Sequence, residues 1–137
     1  GGIADRRGFE AAVALGASGV LVGTRFLAAD ESLAAPAAKQ RVVEASGDGT
    51  VRTTVFDIVR GYDWPGRFTG RALKNAFTGA WHGNEQALRA RMESERRRYL
   101  EAAERRDFDV AVVFAGEAVD LIDSVLPAAA IVKRICP

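Results

Sequence analysis

Residues 1–27 read Gly1-Gly2-Ile3-Ala4-Asp5-Arg6-Arg7-Gly8-Phe9-Glu10-Ala11-Ala12-Val13-Ala14-Leu15-Gly16-Ala17-Ser18-Gly19-Val20-Leu21-Val22-Gly23-Thr24-Arg25-Phe26-Leu27. Residues 7–15 are rich in alanine, with Phe9, Ala12, Val13 and Leu15 apolar; Asp5 is placed to cap their start and Gly16 to end them, so a short helix is expected. Val20, Leu21 and Val22 form an apolar run, β-branched at two positions and closed by Gly23, which predicts a buried strand. A helix feeding a wholly apolar strand is half of a βαβ unit, and it points to an α/β fold with a parallel sheet. The other half would be a strand ending at Gly1-Gly2. Two glycine sites then stand at successive strand ends: Gly1-Gly2-Ile3 and Gly23-Thr24. Glycine lets backbone N–H groups approach an anion closely, and a threonine hydroxyl adds a donor. In a (β/α)8 barrel the loops after strands seven and eight often hold a phosphate.

The rest of the chain fills in around that core. At 137 residues, with 48% hydrophobic and 27% charged residues, it has the makings of one ordinary domain or part of a larger one. It opens without methionine on a Gly-Gly pair that has no element before it to end or bend. It therefore reads as the C-terminal part of a longer protein. A formal net charge of +1 argues against a nucleic-acid partner. The single cysteine, Cys136, excludes an intrachain disulfide and a multi-cysteine zinc site, and it reads as an inert thiol. The single histidine, His82, excludes a paired-histidine metal centre. No apolar run approaches the roughly 20 residues that span a bilayer, so no membrane partner is expected. No secretory leader pattern opens the sequence either, and the expected compartment is the cytosol.

Further along, Pro36 opens an expected helix to about residue 45, and Ser46-Gly47-Asp48-Gly49 is a loop. Residues 50–59 are a strand candidate, followed by an aromatic loop over residues 61–70 and one or two helical turns over residues 71–77. Asn84 is placed to cap a long helix to about residue 106, with Leu88, Met92, Tyr99 and Ala103 on one face and Glu93–Arg97 and Glu101–Arg105 pairs on another. Residues 109–114 are a second short apolar run, and Pro127, with a cap at Ser124, opens a last helix.

The arginines Arg89, Arg91, Arg96, Arg97, Arg98, Arg105 and Arg106 are interleaved with Glu93, Glu95, Glu101 and Glu104, the pattern of a solvated helix rather than an RNA strip. His82 lies between Trp81 and Gly83 in no catalytic pattern, and a structural role is expected. Tyr62 and Trp64 suit either the mouth of a substrate site or packing between parts of the protein.

The stretch GGIADRRGFEAAVALGASGVLVGTRFLAADES resembles the phosphate-binding segment of the nitronate monooxygenase family, also called 2-nitropropane dioxygenases. VFDIVRGYDWPGRFTGRALKNAFTGAW and AGEAVDLIDSVLPAAAIVKRI resemble its middle and C-terminal patterns, so the likeness covers nearly the whole chain. The first stretch is shared with FMN-dependent enoyl reductases and NADH:quinone reductases and does not separate these activities. The resemblance implies an FMN-binding (β/α)8 TIM barrel with a smaller α+β domain inserted after the eighth strand. Residues 1–27 would be a barrel segment, residues 28–107 the inserted domain, and residues 108–137 the return to the barrel.

Gly1, Gly2, Ile3, Gly23 and Thr24 would then hold the FMN phosphate. The implied reaction is oxidation of an alkyl nitronate with O2 to a carbonyl compound and nitrite. The family's catalytic histidine belongs to an earlier strand, so no catalytic residue is expected in this chain, and alone it should be inactive. Arg6 stands where the family has a glycine, and Glu117 where many members have glutamine; the carboxylate would disfavour an anionic reduced flavin if it faced one. The alternatives are NADH-dependent reduction of a quinone or an enoyl thioester, and, from another class, a noncatalytic helical interaction module.

Overall fold

In a computed structural model that describes residues 1–136, the chain divides into two compact units. One comprises Gly1–Asp48 and the stretch from Ala115 onward; the other is Gly49–Phe114.

The first unit is helical. α1 (Arg6–Ala14) starts as expected: the Asp5 carboxylate accepts from the Gly8 N–H at 2.9 Å, and Gly16, at φ +94°, turns the chain away afterwards. Residues 20–22 depart from the expectation. They are not in a strand, and Leu21 is 84% exposed. A strand exists only through ladder bonds to a neighbour, and no described segment pairs with this one. The chain enters a single helical turn, α2 (Thr24–Leu27), and then α3 (Pro36–Glu44), which Pro36 opens as the sequence requires.

After a 3-10 turn at Glu117–Leu121, α8 (Ala128–Ile135) closes the unit. Its capping partner is Glu31 rather than Ser124: Ala128 N–H donates to Glu31 Oε2 at 2.7 Å, while the Ser124 hydroxyl donates to Asp123. Ile131 and Ile135 on α8 pack with Ala29, Phe26 and Phe9. A parallel bridge joins Ala29 to Leu126.

The second unit carries the two-stranded sheet. β1 (Thr50–Thr53) pairs antiparallel with β2 (Gly70–Leu73), Val51 opposite Ala72. The strand expected over residues 50–59 stops early, and α4 (Val55–Arg60) follows. Val55, Phe56, Ile58 and Val59 are buried, a spacing that only a helix puts on one side. Burial of that face outweighs the β preference of valine and isoleucine. Gly61, at φ +80°, ends the helix in the left-handed conformation.

The helical turns expected at residues 71–77 also give way. Residues 70–73 pair with β1, and α5 (Ala76–Trp81) begins only after Asn75, whose carboxamide and Thr78 form a reciprocal cap. The long helix is two: α6 (Glu85–Ala90) and α7 (Met92–Glu104), broken at Arg91. Leu88, Tyr99 and Ala102 face the core, whereas Ala103 is exposed. On α7 an ion pair forms between Glu95 and Arg98 at 3.3 Å. Residues 109–114 form no strand of their own but edge β2, with Leu73 N–H donating to the Val113 carbonyl at 2.9 Å and Ala72 bridging Phe114.

Phe56 centres the core of this unit, 5.6 Å from Phe77, 6.3 Å from Tyr99 and 6.4 Å from Phe114. Full burial of such a ring contributes about 1.5–3 kcal/mol, with somewhat more from the ring pairs. Among the described residues no helix is long and apolar enough to cross a membrane.

Candidate functional site

The glycine sites lie in the first unit. Gly2 adopts φ +80°, a left-handed conformation that favours glycine, and a side chain added at Gly1, Gly2 or Gly23 would meet only open space. Ile3 packs its side chain against Gly8, where an added Cβ would lie 3.3 Å from Ile3 Cγ2. Gly23 has φ −106°, so its value is room rather than conformation.

Thr24 is tied down: its hydroxyl oxygen accepts from the Gly116 N–H at 2.9 Å, across 92 residues of sequence. A hydroxyl that accepts one bond still has a proton to donate. The structure therefore brings Thr24 against Gly116 and Ile3 against Gly8, and leaves Gly1, Gly2 and Gly23 bare. Gly116 is not among the residues that the sequence singles out. The AGE pattern that contains it was the available signal.

Next to Thr24, Arg25 is 4% exposed. One of its terminal nitrogens donates to the Ser124 carbonyl at 2.6 Å and to Ala28 at 3.3 Å, while its Nε is buried without a partner. Burial lowers the Arg25 pKa; Asp123 opposes this and Arg134 adds to it. The guanidinium serves as a brace that fixes the turn after Gly23 to the segment before α8. Glu117 is exposed at the start of the 3-10 turn, and Arg6, also exposed, pairs with Glu10 at 2.7 Å.

The second unit holds a cleft of about 450 Å³ lined by Asp57, Arg60, Tyr62, Trp64, Phe68 and Phe114, among others. Tyr62 and Trp64 do come together here. Asp57, Arg60 and Phe114 escape sequence reading because α4 looks like strand and Phe114 looks like buried strand. The Arg60 guanidinium lies 4.6 Å from the Tyr62 ring centre and 5.6 Å from that of Phe114. Burial pushes the Asp57 carboxyl above the usual carboxylate value, and Arg60 pulls it back.

His82 sits apart, at the end of α5. Its Nδ1 is 3.2 Å from the Thr53 hydroxyl and 3.9 Å from Glu85, and its side chain is nearly half exposed. It also lines a small cleft with Val51, Lys74, Asn75 and Thr78. Cys136 is a free, exposed thiol.

The nitronate monooxygenase family model matches residues 1–137. Nitronate monooxygenase npaC of Metarhizium robertsii is 38% identical over 145 residues, covering 98% of this chain and 38% of the relative. A Mycobacterium tuberculosis protein named (3aS,4S,5R,7aS)-5-hydroxy-7a-methyl-1-oxo-octahydro-1H-indene-4-carboxyl-CoA dehydrogenase is 49% identical over 57 residues, 42% of this chain and 16% of the relative. The structure of FabK from Thermotoga maritima superposes with a TM-score of 0.71 at 32% identity, covering 98% of this chain and 41% of that one. The chain spans little more than a third of the length of the nitronate monooxygenases that it matches end to end. With the family model matching from Gly1 to the last residue, this mixed α/β chain belongs to the nitronate monooxygenase family.

Proposed function

We propose that this chain is the C-terminal part of an FMN-dependent oxidoreductase that oxidises alkyl nitronates with O2 to carbonyl compounds and nitrite. Two nitronates consumed per O2 balance the atoms and the charge. The observation that carries this reading is the family match along the whole chain. FMN, when bound, supplies the electron acceptor.

The chain's own part is to anchor the phosphate. Gly1, Gly2 and Gly23 stand in open space where their backbone N–H groups, with those of Ile3 and Thr24, would meet the phosphate, and Thr24 offers a hydroxyl whose oxygen is already engaged by Gly116. These features fit a phosphate, because bare glycines admit its oxygens and the hydroxyl proton remains to be donated. The bond to Gly116 holds the threonine in place before the ligand arrives. In this reading no residue of this chain is the catalytic base, the family's histidine belonging to an earlier strand. The parent fold is a (β/α)8 barrel, to which residues 1–27 and 108–137 contribute segments and in which residues 28–107 are inserted. That Gly1–Asp48 and the stretch from Ala115 onward share one compact unit, with Gly49–Phe114 as the other, supports an insertion, though one that starts later and ends later than residues 28–107. The enzyme acts in the cytosol on a small-molecule substrate.

A second reading is FMN-dependent reduction of an enoyl thioester, or of a quinone, by NADH. The relative named as a carboxyl-CoA dehydrogenase favours the thioester form. The test is to purify the full-length protein, record its flavin absorbance, and supply an alkyl nitronate in air. Nitrite formed in proportion to O2 consumed, with no need for NADH, supports the first reading. NADH oxidation by an enoyl thioester without nitrite replaces it with the second.

A further inference from the structure

The cleft of the second unit contains a charge with an unusual setting. Arg60 lies at the end of α4, its guanidinium centre 4.6 Å from the Tyr62 ring centre and 5.6 Å from that of Phe114. Among the described residues its side chain makes no hydrogen bond, and no ion pair within 4 Å joins it to Asp57 one turn earlier. The aromatic contacts leave the donors of the planar guanidinium uncommitted. Around it the cleft is mostly apolar, walled by Trp64, Phe68 and Phe114 within about 450 Å³, the size of a small-molecule pocket.

A planar fork of N–H donors matches a planar anion with two equivalent oxygens, because two parallel hydrogen bonds form at once. Asp57 sits on the same wall, so the empty cleft is formally neutral at this pair and a dianion would meet the carboxylate. That favours a monoanion over a phosphate.

We infer that Arg60, held between Tyr62 and Phe114, is the substrate anchor of this cleft, and that it takes the two-oxygen head of a small monoanion with a short apolar tail. An alkyl nitronate has that head, with its charge shared between two oxygens on one nitrogen. A carboxylate has the same shape. The identification with a nitronate rests on the reading above; the anion anchor itself rests on the cleft. Specificity follows from the walls: tails of a few carbons pack against Trp64 and Phe68, and neutral nitroalkanes bind weakly because they lack the charge.

The experiment uses the full-length, flavin-loaded protein and the unreactive probe butanoate, with butanamide and butyl phosphate as controls, followed by ligand-observed saturation-transfer NMR. Butanoate should bind, with butanamide and butyl phosphate at least about 10-fold weaker. Arg60→Met should weaken butanoate by about 10–100-fold, the range for a charge-assisted bond. Arg60→Lys, which keeps the charge but loses the fork, should fall between and guards against a misfolded Met variant. Equal binding of butanoate and butanamide, or butanoate binding that neither variant changes, overturns the proposal.

Nitrite release from a nitronate is measured alongside. Arg60-dependent butanoate binding without nitrite keeps the anchor and removes the nitronate. Nitrite release with a KM that Arg60→Met and Arg60→Lys leave unchanged keeps the reaction and removes the anchor.

Discussion

The Gly116 N–H donates to the Thr24 hydroxyl at 2.9 Å, joining the turn after Gly23 to the start of the C-terminal stretch. Only a hydroxyl at position 24 can make this bond and still present a proton outward. Thr24→Val removes the acceptor and leaves a partly buried N–H unpaired, which should cost about 1–3 kcal/mol. Thr24→Ser keeps the acceptor and should cost less than about 1 kcal/mol. Urea unfolding of the two variants, compared with the wild type, checks the difference.

Asn75 is the polar pivot of the second unit. Its carboxamide oxygen accepts from the Thr78 N–H at 3.0 Å, and its Nδ2 donates to the carbonyls of Phe108 and Ala111, both at 3.1 Å. Asn75→Ala should cost about 1–3 kcal/mol, from a lost cap and two lost bonds to backbone carbonyls. Asn75→Asp should be worse despite keeping the cap acceptor, because it sets a carboxylate oxygen against two carbonyl oxygens. An Asp variant at least as stable as the Ala variant in chemical unfolding would contradict this assignment.

The Asp57 carboxyl is raised by burial and lowered by Arg60. Its titration midpoint in carbon-13 NMR should exceed the unperturbed value of about 3.9. Arg60→Met should raise it further, because the opposing positive charge is gone. The sign for stability follows: an acid whose pKa is raised on folding favours the folded state when protonated. Asp57 therefore costs stability progressively as pH rises through its unfolded and then its folded pKa. Asp57→Asn should gain stability relative to the wild type at pH 7, and the gain should fade as pH falls through the raised folded pKa and be gone below about pH 4.

His82 lies beside Thr53 and Glu85 and lines a small cleft with Val51, Lys74, Asn75 and Thr78. In the full-length enzyme His82→Ala should change turnover by only a few-fold. A general acid or base typically contributes about 10²–10⁴-fold. A loss in that range, with flavin content and circular dichroism intact, would move His82 into the catalytic machinery.

How much of this was legible in the sequence varied with where the physical signal lay. Caps and stops are local, so Asp5, Gly16 and Pro36 placed α1 and the start of α3 closely. Residues 55–60 were misread because valine and isoleucine favour strands, and only their burial on one face made a helix of them. Residues 20–22 carry the composition of a buried strand, but composition cannot supply a hydrogen-bonding neighbour. Gly23 and Thr24 are visible in the sequence as a glycine and a hydroxyl after an apolar run, which is a local signal. Gly116 is not, since its role is a backbone N–H reaching across 92 residues. Arg60 was hidden for a similar reason: its setting is made by Tyr62 and by Phe114, far along the chain.

The central claim is that Gly23 and Thr24 hold a flavin phosphate. It is tested most directly by comparing FMN with riboflavin, which lacks the phosphate, in fluorescence titrations of the full-length apoprotein. The wild type should bind FMN at least about 10-fold more tightly than riboflavin, the minimum for a group that gains charge-assisted hydrogen bonds. Gly23→Val and Thr24→Val should each close much of that gap by weakening FMN while leaving riboflavin unchanged. The open space at Gly23 predicts that a side chain there does not disturb the fold itself. Equal affinity for FMN and riboflavin in the wild type, or a preference for FMN that both folded variants retain in full, would contradict the account.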